Sequence, residues 1–277
     1  MQLDRAQALW THVKASMFDA VNQQSDLSHG ALHMMGLSGR MTRHLYNNLV
    51  RLPGSQEVVT YLEVGSWAGS TLVAALQGNE SRVQAIAIDN WSQFDGPKEL
   101  FMKHVQEFTS PARKFDHIDK DSFQVTFDDL GRRLADVYLY DGGHEREDHR
   151  RGIAHYADFL ADASIVIVDD WNWEKVRGGT FEGFEEVKDR VRVYASLEIR
   201  HTDDDSHTPK HVAEPMFHNG IAVFVVYRIK EGDALLPTPS EAQGTKVQRT
   251  YTSELFQRTS VAVVHQTRTT TPPPVIL

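Results

Sequence analysis

The chain of 277 residues contains no cysteine, which excludes disulfides, thiolate metal ligands and cysteine nucleophiles. It is also short of basic residues, since 29 Lys and Arg stand against 38 Asp and Glu, for a net charge of -9. This balance opposes an electrostatic grip on phosphates, so we expect no nucleic-acid partner. No apolar run approaches the roughly 18 residues of a membrane helix. Asp4, Arg5 and Lys14 interrupt the apolar residues at the amino terminus, so no signal peptide is predicted and a cytoplasmic location is expected.

Composition and apolar spacing predict three segments. Residues 1–52 have apolar residues at helical spacing and are predicted to form a helical extension or lid, with His29 and His33 in a connection between its helices. Residues 53–230 are predicted to be the main domain. Residues 231–277 are rich in Thr and Pro and predict a disordered tail, or an arm that packs against another subunit of a homo-oligomer.

Strand-like and helix-like stretches alternate through the main domain. Strands are predicted at 58–64, 83–88, 115–118, 135–140, 165–168, 195–200 and 221–228, and the helices between them at 70–76, 97–108, 123–134, 147–160 and 181–190. Thr180 is predicted to cap the last of these helices, after a loop. The alternation predicts an α/β fold with a doubly wound, mostly parallel, seven-stranded sheet. The His- and Asp-rich stretch 201–218 is predicted to be a polar loop between the last two strands.

Acidic residues follow four of the predicted strands. Glu63 lies at the end of the first strand, Asp89 follows the second, Asp141 follows the fourth, and Asp169 and Asp170 follow the fifth. The carboxyl ends of parallel strands form one rim, where ligands of open α/β sheets bind. A single acid there would be explained as a helix cap, but so many on one rim predict a binding site.

A glycine turn ends the first predicted strand. Gly65 permits a positive φ, and Gly69 allows a close approach of the backbone to a ligand. The dinucleotide fingerprint G-x-G-x-x-G would require glycine where this chain has Trp67. Glu63 beside the turn would repel a pyrophosphate but suits a cationic ligand. Asp89 follows Glu63 along the sequence at the usual separation for an acid that binds ribose hydroxyls. The alternative is a structural turn with a capping acid.

The pattern E-x-G-x-x-x-G followed by an acid at the end of the second strand resembles class I S-adenosylmethionine-dependent methyltransferases. The resemblance implies a Rossmann-like methyltransferase fold in residues 53–230. It also implies contacts to the methionyl part (Glu63, Gly65, Ser66 and Gly69), to the ribose (Asp89), near the adenosine (Asn90 and Trp91) and near the adenine (Asp121 and Ser122).

A second constellation follows the fourth and fifth strands. Asp141, Asp169 and Asp170 are expected to converge on the rim, where they would repel one another unless a divalent cation neutralised them. Oxygen ligands suit Mg²⁺, Mn²⁺ or Ca²⁺ better than Zn²⁺. His144, three residues after Asp141, is the candidate general base. Asp141 is also predicted to contact the cofactor. The alternative is that the acids cap helices and His144 is an ordinary loop residue.

The motif Asp-x-x-His after the fourth strand, with an acidic pair after the fifth, resembles the metal-dependent O-methyltransferases of antibiotic biosynthesis, of the mycinamicin, macrocin and novobiocin type. Related sequences carry a historical cephalosporin hydroxylase label. The resemblance spans roughly residues 36–230 and implies that Asp141, Asp169 and Asp170 bind Mg²⁺ and that His144 is the base. The mycinamicin type has Glu-Asp where this chain has Asp-Asp.

These features together predict an enzyme that methylates a small-molecule hydroxyl, as in natural-product biosynthesis, with S-adenosylmethionine and Mg²⁺. Two alternatives stay open. One is a metal-free methyltransferase, or an N-methyltransferase, with His144 or Asp170 as base. The other is a catalytically silent module that binds S-adenosylmethionine.

Overall fold

The structure is a computed structural model that describes residues 2–54, 58–230, 246–248 and 260–265. In this part of the chain, nine strands form one sheet: β1 Val59–Val64, β2 Val83–Ile88, β3 Lys114–Ile118, β4 Ala135–Tyr140, β5 Leu160–Asp169, β6 Val191–Arg200, β7 Ile221–Arg228, β8 Lys246–Gln248 and β9 Ser260–His265. Their order across the sheet is 3-2-1-4-5-7-6-9-8.

Strands β1 to β7 form the predicted doubly wound sheet. The neighbours from β3 to β5 pair in parallel, whereas β7 runs antiparallel to both β5 and β6. The direction of winding reverses between β1 and β4, which is where ligands bind in such sheets. The predicted mostly parallel seven-stranded sheet is therefore confirmed. β9 pairs with β6 and β8 pairs with β9, and these two strands within 231–277 were not predicted.

Helices cover both faces of the sheet. They are α1 Gln2–Val21, α2 His29–His33, α3 Arg40–Leu49, α4 Ser70–Leu76, α5 Lys98–Phe108, α6 Arg146–Tyr156, α7 Glu174–Glu186 and α8 Lys210–Ala213. Side chains of α1, α3, α4 and α5 share one apolar core with alternate strand residues such as Val137 and Leu139. Tyr138 and Tyr140, which alternate with these residues along β4, face a second core with α6 and α7.

The helices in 1–52 belong to the first of these layers. α1 contacts α3 and strands β5, β6 and β7, and every residue of α3 from Met41 to Leu49 is buried. The amino-terminal helices are thus packed on the sheet itself. Within the described residues, no helix has the length and apolar character needed to span a bilayer.

The predicted helix at 123–134 is wrong. The chain forms a short 3-10 turn at Ser122–Gln124 and then a series of turns. Asp129 accepts hydrogen bonds from the backbone and hydroxyl groups of Thr126, and Gly131 and Arg132 have φ values of 60° and 57°. Side-chain bonds to the backbone and left-handed residues both compete with helix formation.

The boundaries around α6 and α7 also differ from the prediction. α6 ends at Tyr156, and β5 begins at Leu160, five residues before the predicted start. α7 begins at Glu174, so Thr180 is a fully buried residue inside the helix and does not cap it. A Cβ on Gly179 would lie 2.0 Å from the carbonyl oxygen of Arg146. The glycine at position 179 therefore allows α7 to pack closely on α6.

Candidate functional site

A cleft of about 630 Å³ opens at the carboxyl ends of β1, β2, β4 and β5. Its lining includes the predicted residues Gly65, Ser66, Asp89, Asn90, Asp121, Ser122, Asp141, His144, Asp169 and Asp170. Glu63, Gly69 and Trp91 do not line it. The topology therefore brings most of the predicted cofactor residues and all predicted metal residues to one cleft.

The glycine turn after β1 is shaped by close packing. Gly65 has a φ of +87°, and a Cβ there would lie 1.8 Å from the carbonyl oxygen of Asp141. Gly69 has a φ of +82°, and its Cβ would lie 2.8 Å from the ring of Phe101. The two glycines thus let the loop after β1 lie directly against the loop after β4 and against α5.

Gly65→Ala should lower the free energy of unfolding by at least about 3 kcal/mol, because left-handed strain and a backbone collision add together. Gly54→Ala is the matched control, since Gly54 has a φ of +69° with no atom within 4 Å of the added Cβ. It should cost only the left-handed strain, about 1–2 kcal/mol. Urea denaturation of both variants measures the difference. Equal losses would show that the loop yields to the added methyl group.

Glu63 lies beneath the turn. Its side chain is fully buried on the same sheet face as Tyr61, whose hydroxyl donates to Glu63 Oε2 at 2.7 Å. Burial raises the pKa of Glu63 to about 7, against the lowering effect of the hydrogen bond from Tyr61. Glu63 does not line the cleft, so its predicted contact with a cofactor stays a prediction.

Asp89 ties two loops together at the cleft. Its Oδ2 accepts from the backbone N–H of Trp67 at 2.8 Å, and its Oδ1 accepts from that of Trp91 at 2.7 Å. The ring of Trp91 packs against Phe101 with ring centres 5.5 Å apart. Asp89 thus lies where the sequence predicted an acid, whereas the indole of Trp91 packs into the protein. Each Asp89 oxygen keeps a lone pair for a ligand.

Two further predicted residues lie at the far end of the cleft. Asp121 and Ser122 line it at the 3-10 turn after β3, where Asp121 Oδ1 accepts from the backbone N–H of Phe123 at 2.9 Å. Asn90 Oδ1 accepts from the backbone N–H of Ser92 at 3.1 Å. The cleft is therefore bounded by ordered polar groups from β2 to β3.

Acidic residues and a histidine converge at the other end. His144 Nε2 lies 2.6 Å from Asp170 Oδ2 and 3.8 Å from Asp141 Oδ1. One ligand atom of each of these three residues lies within 4.8 Å of the others. Asp169 is adjacent and buried, and its Oδ1 accepts from the backbone N–H of Asp170 at 2.9 Å. The compact group that could hold a cation therefore contains His144 in the place that the sequence assigned to Asp169.

Asp170 is held in a demanding conformation. Its φ is +57°, which is unfavourable for a residue with a Cβ, and its Oδ1 accepts from Asn219 Nδ2 at 2.8 Å. Left-handed residues of this kind persist where surrounding contacts enforce them, often at functional sites. The hydrogen bond from Asn219 and the ion pair with His144 are such contacts.

The buried carboxyl groups of this cluster outnumber the positive charges beside them. Burial raises the pKa of Asp141 to about 6, and the neighbouring imidazole of His144 acts in the opposite direction. Burial and the charges of Asp141 and Asp170 raise the pKa of Asp169 well above its usual range. Burial would lower the pKa of His144, but the two neighbouring acids outweigh it and raise that pKa to about 10. The protonated imidazole therefore acts as counter-ion, and a hard divalent cation fits the same donors.

One side of the cleft beside this cluster is formed by residues that were not predicted from the sequence. Trp173 lies edge-on to His144 and to His207, with ring centres 5.4 and 5.1 Å apart. Trp173, His207, His218 and Asn219 all line the cleft. The stretch 201–218, predicted to be only a polar loop, is thus part of the site. Its residues reach the cleft through the β6–β7 connection, which spacing along the sequence does not reveal.

One residue of the amino-terminal segment 1–52 lines the cleft, and whether this segment acts as a lid stays a prediction. Leu37, in the connection between α2 and α3, lines the cleft with its side chain half exposed. His29 and His33 are exposed and stack on each other, with ring centres 4.1 Å apart. Neither histidine lines the cleft.

Residues 62–171 match the family model described as a methyltransferase domain. This segment begins in β1 and ends just after Asp170, so it contains the glycine turn and the acidic cluster. No curated protein sequence matches the chain.

Several solved structures are similar to this chain at low sequence identity. An O-methyltransferase from Bacillus cereus in complex with SAH is 12% identical over 78% of this chain and 90% of that chain, with a TM-score of 0.48. The O-methyltransferase TomG from Streptomyces achromogenes, involved in tomaymycin synthesis and in complex with SAM, is 15% identical over 80% and 90%, with a TM-score of 0.47. A precorrin-6y C5,15-methyltransferase from Geobacter metallireducens is 16% identical over 68% and 87%, with a TM-score of 0.43.

Proposed function

We propose that this protein is an S-adenosylmethionine-dependent O-methyltransferase that acts on a small-molecule hydroxyl with the help of a divalent cation. The observation that supports it is the convergence of Asp141, His144 and Asp170 in the same cleft as the glycine turn of a methyltransferase domain. The residues proposed for the cofactor and those proposed for the cation thus line one cleft. Methyl transfer to a metal-activated hydroxyl requires the two to be this close.

The cofactor end suits a cationic adenosyl ligand. S-adenosylmethionine would supply a methyl group on a sulfonium centre, whose positive charge the acids of the rim would favour. Gly65 and Ser66 would contact its methionyl part, Asp89 its ribose, and Asp121 and Ser122 its adenine. Asp89 can accept ribose hydroxyls because each of its oxygens has only one donor among the described residues.

The metal end suits Mg²⁺, Mn²⁺ or Ca²⁺. Asp141 and Asp170 would bind the cation, with Asp169 behind them to add negative charge and His144 within reach as a ligand or as a base. A bound divalent cation would make a neighbouring hydroxyl far more acidic. The donor set fits because it offers two accessible carboxylates on adjacent strands.

His144 would receive the hydroxyl proton. Its ring borders the cleft between the acids and Trp173, next to the space that Leu37, His207 and His218 leave for an acceptor. A cation held by Asp141 and Asp170 would take over the positive charge that His144 otherwise supplies. The imidazole would then be neutral and able to accept a proton.

Calorimetry with S-adenosylhomocysteine tests the cofactor assignment. Asp89→Ala should weaken binding at least about tenfold, or 1.4 kcal/mol, because charge-assisted ribose bonds and the loop contacts are both lost. Asp119→Ala is the control, since Asp119 pairs with Lys98 on the surface and does not line the cleft. Equal affinity of the wild type and Asp89→Ala would move the ribose elsewhere, and tight NAD binding would overturn the cofactor altogether.

A metal-free reaction is the second candidate. It is favoured by the 2.6 Å ion pair between His144 and Asp170, because a carboxylate that orients an imidazole makes an effective base without a metal. The same pair could serve an amine acceptor. Activity in the presence of a chelator separates this candidate from the metal-dependent one.

A further inference from the structure

Two stretches of the chain outside residues 62–171 meet beside the cleft. The first three residues of α3 donate their backbone N–H groups to three carbonyl oxygens of the connection between β6 and β7. These bonds run from Arg40 to Glu214 at 2.8 Å, from Met41 to Pro215 at 3.3 Å and from Thr42 to Met216 at 3.4 Å. Gly39, which precedes α3, has no side chain with which to cap the helix, so these carbonyl groups take that role. The amino-terminal segment is therefore fixed to the β6–β7 connection.

Leu37 is held between two close contacts of this segment. A Cβ on Gly36 would lie 2.2 Å from the Oγ of Ser70, and a Cβ on Gly39 would lie 2.0 Å from the carbonyl oxygen of Met216. Glycine at both positions therefore lets the segment lie against the start of α4 on one side and against the β6–β7 connection on the other. Leu37, between them, lines the cleft with half of its side chain exposed.

Aromatic rings continue this part of the cleft. Trp173 lies edge-on to His144, the candidate base, and edge-on to His207 in the β6–β7 connection. Leu37, Trp173 and His207 all line the cleft, and we call these three residues the acceptor wall. The acceptor wall thus presents one aliphatic side chain and two flat rings next to the group that would take the proton.

The amide of the β6–β7 connection is already engaged within the protein. Asn219 lines the cleft, but its Nδ2 donates to Asp170 Oδ1 at 2.8 Å and its Oδ1 accepts from the backbone N–H of Thr208 at 3.0 Å. A sugar would place several hydroxyl groups against the acceptor wall, and each hydroxyl that loses water without gaining a partner weakens binding. The acceptor wall therefore favours an acceptor with little polar surface.

Basic side chains lie at the other end of the cleft. In the part of the chain that the structure describes, Lys120 and Arg151 are the Lys and Arg residues that line it. Lys120 directly precedes Asp121 after β3, and the guanidinium of Arg151 lies 3.9 Å from the ring centre of Phe123. Beside the acceptor wall lie the acids that would bind the cation. A cation would balance these acids, which leaves no lysine or arginine among the described residues for a negatively charged group of the acceptor.

We infer that the acceptor is an uncharged phenol whose ring packs on the acceptor wall, with Leu37 as a residue that determines this specificity. The inference rests on the proposed function and names the class of its acceptor. Aromatic rings pack favourably edge to face, and the exposed side chain of Leu37 would be covered by apolar ring surface. His144 adjoins Trp173, so a phenol on the acceptor wall lies next to the candidate base.

Three ligands separate charge from ring shape: methyl para-hydroxybenzoate, free para-hydroxybenzoate, and the saturated ester methyl para-hydroxycyclohexanecarboxylate. Calorimetry measures their binding to the protein in the presence of S-adenosylhomocysteine and Mg²⁺. The aromatic ester should bind at least about tenfold more tightly than either of the others. The free acid adds a negative charge that no basic side chain meets, and the saturated ring is puckered and lacks an aromatic face.

Leu37→Lys places a basic group in the acceptor wall at a half-exposed position, so the protein should still fold. It should weaken binding of the aromatic ester and strengthen binding of the free acid, so that the difference between them shrinks about tenfold. Met35→Lys is the matched control, since Met35 is exposed, lies two residues before Leu37 and does not line the cleft. It should bind all three ligands like the wild type, and both variants should keep their affinity for S-adenosylhomocysteine.

The inference is overturned if the free acid or the saturated ester binds as tightly as the aromatic ester. It is also overturned if Leu37→Lys and Met35→Lys behave alike, or if the wild type binds none of the three ligands. In each case, binding of S-adenosylhomocysteine would leave the cofactor assignment standing. A wild-type protein that does not bind S-adenosylhomocysteine would instead overturn the proposed function itself.

Discussion

Removal of divalent cations should stop methyl transfer, and Asp170→Asn should reproduce the loss at saturating Mg²⁺. We expect each to lower the rate by about three orders of magnitude, since metal activation of a hydroxyl contributes several kcal/mol to the barrier. Asp170 is the acid closest to His144 and is held by Asn219, so the amide variant changes charge with little change of shape. Transfer of a labelled methyl group from S-adenosylmethionine into an acceptor mixture measures the effect.

Binding measurements on Asp170→Asn distinguish loss of the cation from unfolding and from loss of cofactor binding. Asp170→Asn should bind S-adenosylhomocysteine like the wild type, and titration with Mn²⁺ should show one site in the wild type that is weakened in the variant. Asp128→Asn, which alters an exposed acid paired with Arg132, should change neither activity nor Mn²⁺ binding. Full activity in chelator would eliminate the metal and leave the pair of His144 and Asp170 as the base.

The position of the acids at the strand ends could be predicted from the sequence because it follows from local patterns. β2 and β4 have the predicted bounds and β5 ends one residue beyond its predicted end, so Asp89, Asp141 and Asp170 fall at the rim. The face to which a strand residue points could not be predicted in the same way. Buried parallel strands are apolar on both faces, so nothing in the residues around Glu63 indicated that its side chain lies beneath the turn.

Errors in helix boundaries had tertiary causes. The sequence around Gly178 and Gly179 has the composition of a loop, but both glycines lie inside α7. They are glycines because α6 passes too close to leave room for a side chain. In the same way, His207 and His218 reach the cleft because β6 and β7 are neighbours in the sheet. Such contacts between residues distant in sequence have no periodic signal, so one sequence does not disclose them.

His144→Ala should lower the rate by roughly two to four orders of magnitude if His144 takes the hydroxyl proton. The structure adds an alternative to this role, because His144 Nε2 lies close enough to Asp141 and Asp170 to be a ligand itself. Measuring the rate as a function of Mg²⁺ concentration distinguishes them. A base lost by mutation leaves a slow rate that no amount of Mg²⁺ restores, whereas a lost ligand leaves a rate that recovers at saturating Mg²⁺.

Two controls accompany the His144→Ala variant: its affinity for S-adenosylhomocysteine, and a substitution of a histidine outside the cleft. His144→Ala should bind S-adenosylhomocysteine normally, and His33→Ala, at an exposed histidine outside the cleft, should keep full activity. His144→Gln retains a polar group of similar length and should remain slow, since an amide cannot accept the proton and carry the charge. If both His144 variants transfer methyl groups at the normal rate and bind Mn²⁺ normally, His144 has neither role. Asp170, whose Oδ2 lies 2.6 Å from the imidazole nitrogen in the native cleft, is then the next residue to test as the base.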